Sequence, residues 1–191
     1  MEVLASPIAA VVHETRSTAI DRLMLETARR LRARGVKLGG LVQHNVEKQG
    51  ADCSRMLLED LASGHQVPIS LERGGGSGCR LDAAGLAEAA ALGARGIAGG
   101  ADFVIISKFG AQEAAGKGLR EEIAQAVLRA APLLTSVSIR LLPAFVNFIG
   151  ESWTRLPPDL VAVEAWALAA VAAVAVREPT LAPALDRALD A

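Results

Sequence analysis

The sequence predicts a three-layer α/β fold, with a mainly parallel sheet between helices and an inserted β-hairpin. Short apolar strand patterns alternate with amphipathic helical patterns, and this alternation favours parallel strands joined by right-handed crossovers. A strand buried on both faces is predicted where Val104, Ile105 and Ile106 stand in succession. Two further strand patterns flank the turn residues 62–64 and predict the hairpin.

The predicted elements follow one another in a regular order. A strand over residues 8–13 precedes an amphipathic helix over residues 19–34, which Gly35 ends. The remaining predictions are a strand over residues 36–43, a polar loop over 46–54, hairpin strands over 55–61 and 66–71, helices over 83–98, 119–130 and 141–149, strands over 103–107 and 133–138, a helix capped by Asp159 that runs to Val176, and a short helix over 179–191.

The length of 191 residues suits a single α/β domain. We predict one domain over residues 1–191, with a core over residues 1–156 and alanine-rich C-terminal helices over residues 157–191. Hydrophobic residues make up 51% of the chain and charged residues 21%, which is typical of a globular protein. The chain shows no internal repeat and no linker that would indicate a second domain.

Composition also limits the classes of partner. A net charge of −1 and an aromatic content of 3% argue against a nucleic-acid partner. The uncharged stretch over residues 165–176 is too short to cross a bilayer, so we expect no membrane insertion. The first residues lack the pattern of a signal peptide, and we expect a cytoplasmic protein. The three histidines lack the spacing of a zinc site, and we predict no metal site.

A lysine stands where the most apolar predicted strand ends. Ser107 and Lys108 follow that strand directly. Ligands of open α/β sheets bind beyond the carboxyl ends of the strands. We therefore expect Lys108 to provide a positive charge to a bound anion.

A glycine-rich segment flanked by arginines is the second candidate anion-binding element. Its candidate ligands are Arg73, Gly74, Gly75, Gly76, Ser77, Gly78 and Arg80. Unpaired backbone amides and guanidinium groups in such a segment would surround an oxyanion. The alternative is a flexible connecting loop that binds nothing.

The turn after the first strand offers a third element. Ser17 and Thr18 precede the first predicted helix, where they either cap the helix or hold a small oxyanion through hydroxyl and amide groups. A P-loop requires the pattern G-x-x-x-x-G-K-[ST]. Residues 13–19 read H-E-T-R-S-T-A, which contains neither glycine nor lysine.

Four more polar residues complete the predicted binding shell. His44 and Asn45 follow the second strand, as ligands or as ordinary hydrogen-bonded loop residues. Lys117 and Arg120 open another predicted helix, as anion ligands or as a solvated helix start.

Several of these segments, in this order, resemble two related groups of proteins. Residues 35–42, 59–64 and 101–113 resemble the small nucleoside-triphosphatases related to archaeal and thermophile enzymes of that name. Residues 43–45, 56–61, 78–82, 108–110 and 116–120 resemble more closely a bacterial family of unknown function, domain-of-unknown-function family 2478. The resemblance covers about residues 8–153. It implies a P-loop-NTPase-like fold, and members of the family are often encoded near molybdate-transport genes.

The departures from the triphosphatase pattern bear on mechanism. Those enzymes have a full P-loop after the first strand, which this chain lacks. They also carry an acidic pair, which helps to hold magnesium and activate water, where this chain has Ser107 and Lys108. Phosphoryl transfer relies on metal and phosphate clamps, so the loss of both argues against nucleotide hydrolysis.

We therefore expect a non-hydrolytic protein that binds molybdate, tungstate or a phosphate-like anion and acts in molybdenum handling as a carrier, store or sensor. One alternative is a divergent nucleotide-dependent hydrolase or transferase, with Glu113 or Glu14 for a metal and His44 as base. A second alternative is an assembly scaffold, in which the alanine-rich C-terminal helix forms a homo-oligomer and the pocket is vestigial.

Overall fold

The computed structural model describes residues 6–14, 18–46, 55–72 and 79–177. In chain order the elements are β1 (Ile8–His13), α1 (Thr18–Ala33), β2 (Leu38–Val46), β3 (Arg55–Asp60), β4 (Gln66–Pro68), β5 (Ser70–Glu72), β6 (Cys79–Leu81), α2 (Ala83–Ala98), β7 (Phe103–Phe109), α3 (Ala111–Ala114), α4 (Arg120–Leu128), β8 (Leu133–Ser138), α5 (Leu142–Ile149), β9 (Thr154–Leu156) and α6 (Leu160–Arg177). A single 3₁₀ turn over Ile139–Leu141 joins β8 to α5.

The main sheet has seven strands in the order β4-β3-β2-β7-β8-β1-β9. The strands β2, β7, β8, β1 and β9 all run parallel. The strand β3 is antiparallel to β2 and β4 is antiparallel to β3, so the inserted hairpin lies at one side of the sheet. The predicted mainly parallel sheet with an inserted hairpin is confirmed. We refer to the side of the sheet where the five parallel strands end as the carboxyl edge.

Helices cover both faces of the sheet, and this confirms the three predicted layers. Phe103 and Ile105 of β7 pack in a core cluster with residues of α1 and α6. Val104 and Ile106, on the opposite face of the same strand, pack in a cluster with residues of α2, α4 and α5. Successive side chains of a strand point to opposite faces, which is why a continuous apolar run marks a strand buried on both sides.

Elements with a strong sequence signal have the predicted positions. The bounds of β1, α2 and β8 are those predicted. Asp82 caps α2 as predicted, because its Oδ1 accepts a hydrogen bond from the N–H of Ala84 at 3.0 Å. Asp159 caps α6 in the same way, through the N–H of Ala162 at 2.8 Å.

Short elements differ from the prediction. The predicted strand over residues 66–71 is divided into β4 and β5, and β5 pairs with β6 in a separate two-stranded sheet. The strand β9 was not predicted, although it pairs in parallel with β1. The helix α3 was not predicted either, and α4 is shorter than the predicted helix at both ends. Elements of three or four residues are too short to show a hydrophobic period.

A buried carboxylate joins α6 to α1. Glu164 of α6 is 8% exposed, and its Oε2 accepts a hydrogen bond from Nη1 of Arg30 at 3.0 Å. Its Oε1 accepts a second one from Nε of Arg34 at 2.9 Å. The hydrogen bond from Arg30 is the main cause that holds the pKa of Glu164 below its ordinary value.

Candidate functional site

Lys108 lies in a β-bulge at the carboxyl edge. In the pairing of β7 with β8, Ile106 is opposite Thr135 and Phe109 is opposite Val137, so β7 carries one extra residue. The bulge falls on Ser107 and Lys108, of which the first is buried and the second is exposed. Bulges occur next to functional sites, where they redirect a side chain. The prediction that the strand ends at Ser107 is wrong, because pairing resumes at Phe109.

A buried hydroxyl supports this bulge from the neighbouring strand. Oγ of Ser136 on β8 donates a hydrogen bond to the carbonyl oxygen of Ser107 at 2.6 Å. Both residues are buried. A bulge leaves backbone groups outside the regular ladder, and a buried group of this kind needs a partner. Ser136 is therefore a supporting residue of the site that the sequence analysis did not identify.

The segment after β7 is held by Glu113, a buried residue of α3. Its Oε2 accepts the N–H of Gly110 at 2.8 Å, and its Oε1 accepts the N–H of Leu119 at 2.8 Å. Glu113 is 6% exposed. The metal-binding role considered for Glu113 is not what these contacts indicate, because both oxygens accept backbone amides.

Lys117 and Arg120 lie in this same segment but in different environments. Lys117 is exposed, between Gly116 and Gly118, whose φ angles are +79° and +64°. Arg120 is half-buried, with Nη1 donating to the carbonyl oxygen of Glu113 at 3.0 Å. Its guanidinium carbon stands 3.8 Å from the ring centroid of Phe148, a cation–π contact. Arg120 is thus anchored, whereas Lys117 presents its charge to solvent.

His44 of β2 has a charged partner on the neighbouring antiparallel strand, β3. Its Nε2 lies 2.7 Å from Oε2 of Glu59, a charge pair when the imidazole is protonated, although the geometry is not that of a standard hydrogen bond. Glu59 is also 3.9 Å from Nη1 of Arg32. Both side chains of the pair are largely buried. The register identifies them as diagonal neighbours, because Glu59 is opposite Val42 and His44 is two residues further along β2. The sequence analysis did not identify Glu59 as this partner.

Asn45 joins the end of β2 to the first turn of α1. Its Nδ2 donates to Oδ2 of Asp21, and its Oδ1 accepts a hydrogen bond from Nε2 of Gln43 at 2.9 Å. Gln43 is buried. Thr18 is the first residue of α1 and is exposed, so its hydroxyl lies near this junction but outside the core. The contacts of Asn45 are those of a residue that fixes a helix relative to a strand.

Arg80 is exposed on β6, opposite Leu71 of β5. The β5–β6 sheet is attached to the first residues of β3, where the N–H of Met56 donates to Oγ of Ser70 at 2.9 Å. Met56 is opposite Asn45, so this contact of β5 with β3 lies beside the last residues of β2. The candidate residues Ser17, Arg73, Gly74, Gly75, Gly76, Ser77 and Gly78 lie outside the described residues.

The order of the strands sets which candidates are neighbours. The carboxyl ends of β2, β7, β8 and β1 lie side by side, carrying Asn45, Lys108, Ser138 and His13, respectively. The pairing of β2 with β7 ends at Leu41 and Ile106, so Asn45 lies four residues beyond the last paired residue of β2. His13 is opposite Ser138 in the β1–β8 pairing. One edge thus carries a series of polar side chains on four consecutive strands.

A buried acid with one unpaired oxygen lies in the first turn of α4. Glu122 is 7% exposed, and its Oε2 has no hydrogen-bond partner. Burial is the main cause that raises the pKa of Glu122, and the nearby Glu121 and Glu113 carboxylates add to the effect. Within the described segments, no group of three or more His, Cys, Asp or Glu residues is arranged to hold a metal ion.

The described part of the chain contains no helix that is both long and apolar enough to cross a membrane. This finding agrees with the expectation that the stretch over residues 165–176 is not a membrane span.

Comparison with known proteins gives one family and one curated relative. The family model described as "Protein of unknown function (DUF2478)" matches residues 8–166. A protein of Bradyrhizobium diazoefficiens described as "Molybdenum import ATP-binding protein ModC 2" is 37% identical over 167 residues. The match covers 86% of this chain but spans only 18% of the length of that relative. No solved structure matches the chain. Because the family model matches most of the sequence, the chain belongs to the DUF2478 family of proteins of unknown function.

Proposed function

We propose that this protein binds a small oxyanion, molybdate, tungstate or a phosphate-like ligand, at the carboxyl edge and does not hydrolyse a nucleotide. The observation that carries the proposal is the exposed Lys108 in the bulge of β7. Ligands of open α/β sheets bind at the carboxyl edge, and the bulge directs the Lys108 side chain outward at this edge.

Electrostatics supports an anionic ligand. Lys108, Lys117 and Arg80 are all exposed, and each carries a positive charge that a dianion would attract. Two unit charges about 4 Å apart attract by about 4 kcal/mol at an effective dielectric constant of about 20. A tetrahedral dianion gains more from several lysines and arginines than a monoanion of the same size. The positive charges of these exposed side chains therefore support an anionic ligand.

The relative indicates which dianions to examine first. The curated relative is described as a molybdenum import protein, and the chain shares 37% identity with part of it. Molybdate and tungstate are tetrahedral dianions of similar size, so one site suits both. We accordingly propose a role in molybdenum handling, as a carrier, store or sensor of the anion, in the cytoplasm.

Three features support binding without hydrolysis. Residues 13–19 contain no glycine and no lysine, so they do not form the phosphate-binding pattern of a P-loop. Ser107 and Lys108 stand where the similar triphosphatases have acids. The carboxylate of Glu113, which an alternative mechanism would use for a metal, accepts two backbone amides.

The second candidate function is nucleotide binding, with or without hydrolysis. The observation that favours it is the ATP-binding description of the relative. His44 would act as base in such a mechanism, with Glu59, 2.7 Å from its Nε2, as the carboxylate that orients the imidazole. Magnesium-dependent nucleotide turnover by the purified protein would support this candidate and contradict the first.

A thermal-shift panel at low salt tests the proposal. The panel uses molybdate, tungstate, sulfate, phosphate, ATP and GTP, each with and without magnesium, because a ligand that binds the native state stabilises it by RT ln(1 + [L]/Kd). We expect molybdate or tungstate to raise Tm without magnesium. A shift that requires both nucleotide and magnesium would contradict the proposal.

A further inference from the structure

The carboxylate of Glu113 joins the segment that follows Lys108 to the segment that follows Lys117. Gly110 is two residues after Lys108, and Leu119 is two residues after Lys117. The N–H groups of Gly110 and Leu119 donate to opposite oxygens of Glu113, each at 2.8 Å. We call the segment over residues 110–119, closed in this way, the clasped loop. Its two ends cannot separate without breaking one of these hydrogen bonds, of which the one from Leu119 is buried and the one from Gly110 is partly buried.

The same carboxylate and the stem of Lys108 both lie close to Gly110. A Cβ atom added to Gly110 would be 3.3 Å from Oε2 of Glu113 and 4.0 Å from Cγ of Lys108. The stem of Lys108 and the carboxylate therefore flank the same glycine. Glu113 is buried, so its negative charge is directed into the clasped loop rather than toward solvent.

The other end of the clasped loop is shaped for the carboxylate as well. Gly118 has a φ of +64°, and a Cβ added to it would be 2.1 Å from Oε1 of Glu113. Both the conformation and the contact require glycine at this position. The N–H of Lys117 donates to the carbonyl oxygen of Gln112 at 2.8 Å, so the backbone that carries Lys117 is fixed too.

We infer that Glu113 is a positioning residue of the anion site: it holds the clasped loop so that Lys117 and Lys108 act on one anion. The inference rests on the proposed function, because it assumes an anion at the carboxyl edge. It assigns to Glu113 an effect on anion affinity that is transmitted through Lys117. In this proposal Glu113 does not contact the anion itself, because its two oxygens accept the N–H groups of Gly110 and Leu119.

Titration of tungstate into purified variants by calorimetry at low salt tests the inference. Glu113→Gln leaves one acceptor for two N–H groups, so we expect tungstate affinity to fall at least tenfold. Glu121→Gln is the matched control, because Glu121 is exposed on the next helix and the variant loses the same charge without touching the clasp. We expect affinity within twofold of wild type for that variant.

A double-mutant cycle separates positioning from a general loss of structure. If Glu113 acts through Lys117, the Glu113→Gln change costs at least tenfold in the wild-type background and less than threefold in a Lys117→Ala background. Equal losses in both backgrounds would overturn the inference. If Glu113→Gln does not fold, the same cycle is run with Glu113→Asp, which keeps the negative charge but is one methylene shorter and so cannot hold both N–H groups, and the same criterion applies.

The outcomes also distinguish this inference from the proposed function. Tungstate binding by wild type together with unchanged affinity of the Glu113 variant would overturn the positioning role alone. Wild-type protein that binds neither tungstate nor molybdate would overturn the proposed function, and the positioning role with it.

Discussion

The hydroxyl of Ser136 donates to the carbonyl oxygen of Ser107 across 2.6 Å, inside the sheet and next to the exposed Lys108. The bond fixes the one irregular point in the pairing of β7 and β8. Because the bulge directs Lys108 outward, a hydroxyl on a neighbouring strand takes part in the placement of the cation. This relationship connects the core of the sheet to the proposed binding site.

Lys108→Ala should weaken tungstate binding at least tenfold, because it removes the charge at the carboxyl edge that carries the proposal. The fold should persist, since the side chain is exposed. Calorimetric titration measures the affinity, and circular dichroism checks the fold. Lys37→Ala is the control, because Lys37 precedes β2 at the opposite edge of the sheet. Equal affinities of wild type and Lys108→Ala would remove Lys108 from the site.

Ser136→Ala should destabilise the protein by about 1–3 kcal/mol, because it leaves a buried carbonyl oxygen of the bulge without this partner. Urea unfolding followed by circular dichroism measures the effect. The variant should also bind tungstate less tightly than wild type, as Lys108 loses its fixed orientation. Ser152→Ala, at an exposed position just before β9 and away from the carboxyl edge, provides a matched control. A Ser136 variant with wild-type stability would contradict the role given to this hydroxyl.

The ion pairs of Glu164 should make the free energy of unfolding depend on pH in the acid range. Because Arg30 and Arg34 hold the pKa of Glu164 below its ordinary value of 4.5, the folded state binds this proton more weakly than the unfolded state. The stabilisation is therefore fully present above pH 4.5 and is lost as the pH falls through the pKa of the folded protein. Glu164→Gln should be less stable than wild type at pH 7, and the difference should shrink at pH 3.5. Urea midpoints at the two pH values measure this; a constant difference would count against it.

The buried acid Glu122 should have the opposite effect: its contribution to the free energy of unfolding should fall as the pH rises. Burial raises its pKa, so the folded state binds the proton more tightly than the unfolded state does. Its contribution to stability is present below the ordinary pKa and declines as the pH rises through the pKa of the folded protein. Glu122→Gln, which is neutral at every pH, should gain stability relative to wild type between pH 4.5 and pH 7. Glu88→Gln is the control, because Glu88 is exposed on α2 and is not among the groups that shift the pKa of Glu122. Identical pH profiles of the Glu122 variant and wild type would refute the prediction.

Strong local patterns were enough to predict β1, β8 and α2 with their bounds. The two strands are short runs buried at nearly every position, and α2 repeats its buried residues at helical spacing over 16 residues. The sequence also indicated the chemistry of Lys108, since a lysine directly after a run of buried residues at the end of a parallel strand is a local signal.

The contacts of the candidate residues depend on packing that local sequence does not show. The bulge depends on the pairing of β7 with β8, and the pair of His44 with Glu59 depends on the register of β2 with β3. Both features therefore depend on the pairing of one strand with another. The two hydrogen bonds by which Glu113 closes the clasped loop come from backbone amides, which every residue type except proline carries. The residue types in this segment therefore do not predict them. Sequence patterns report local preference and burial, whereas hydrogen-bond partners across strands and loops are fixed by packing.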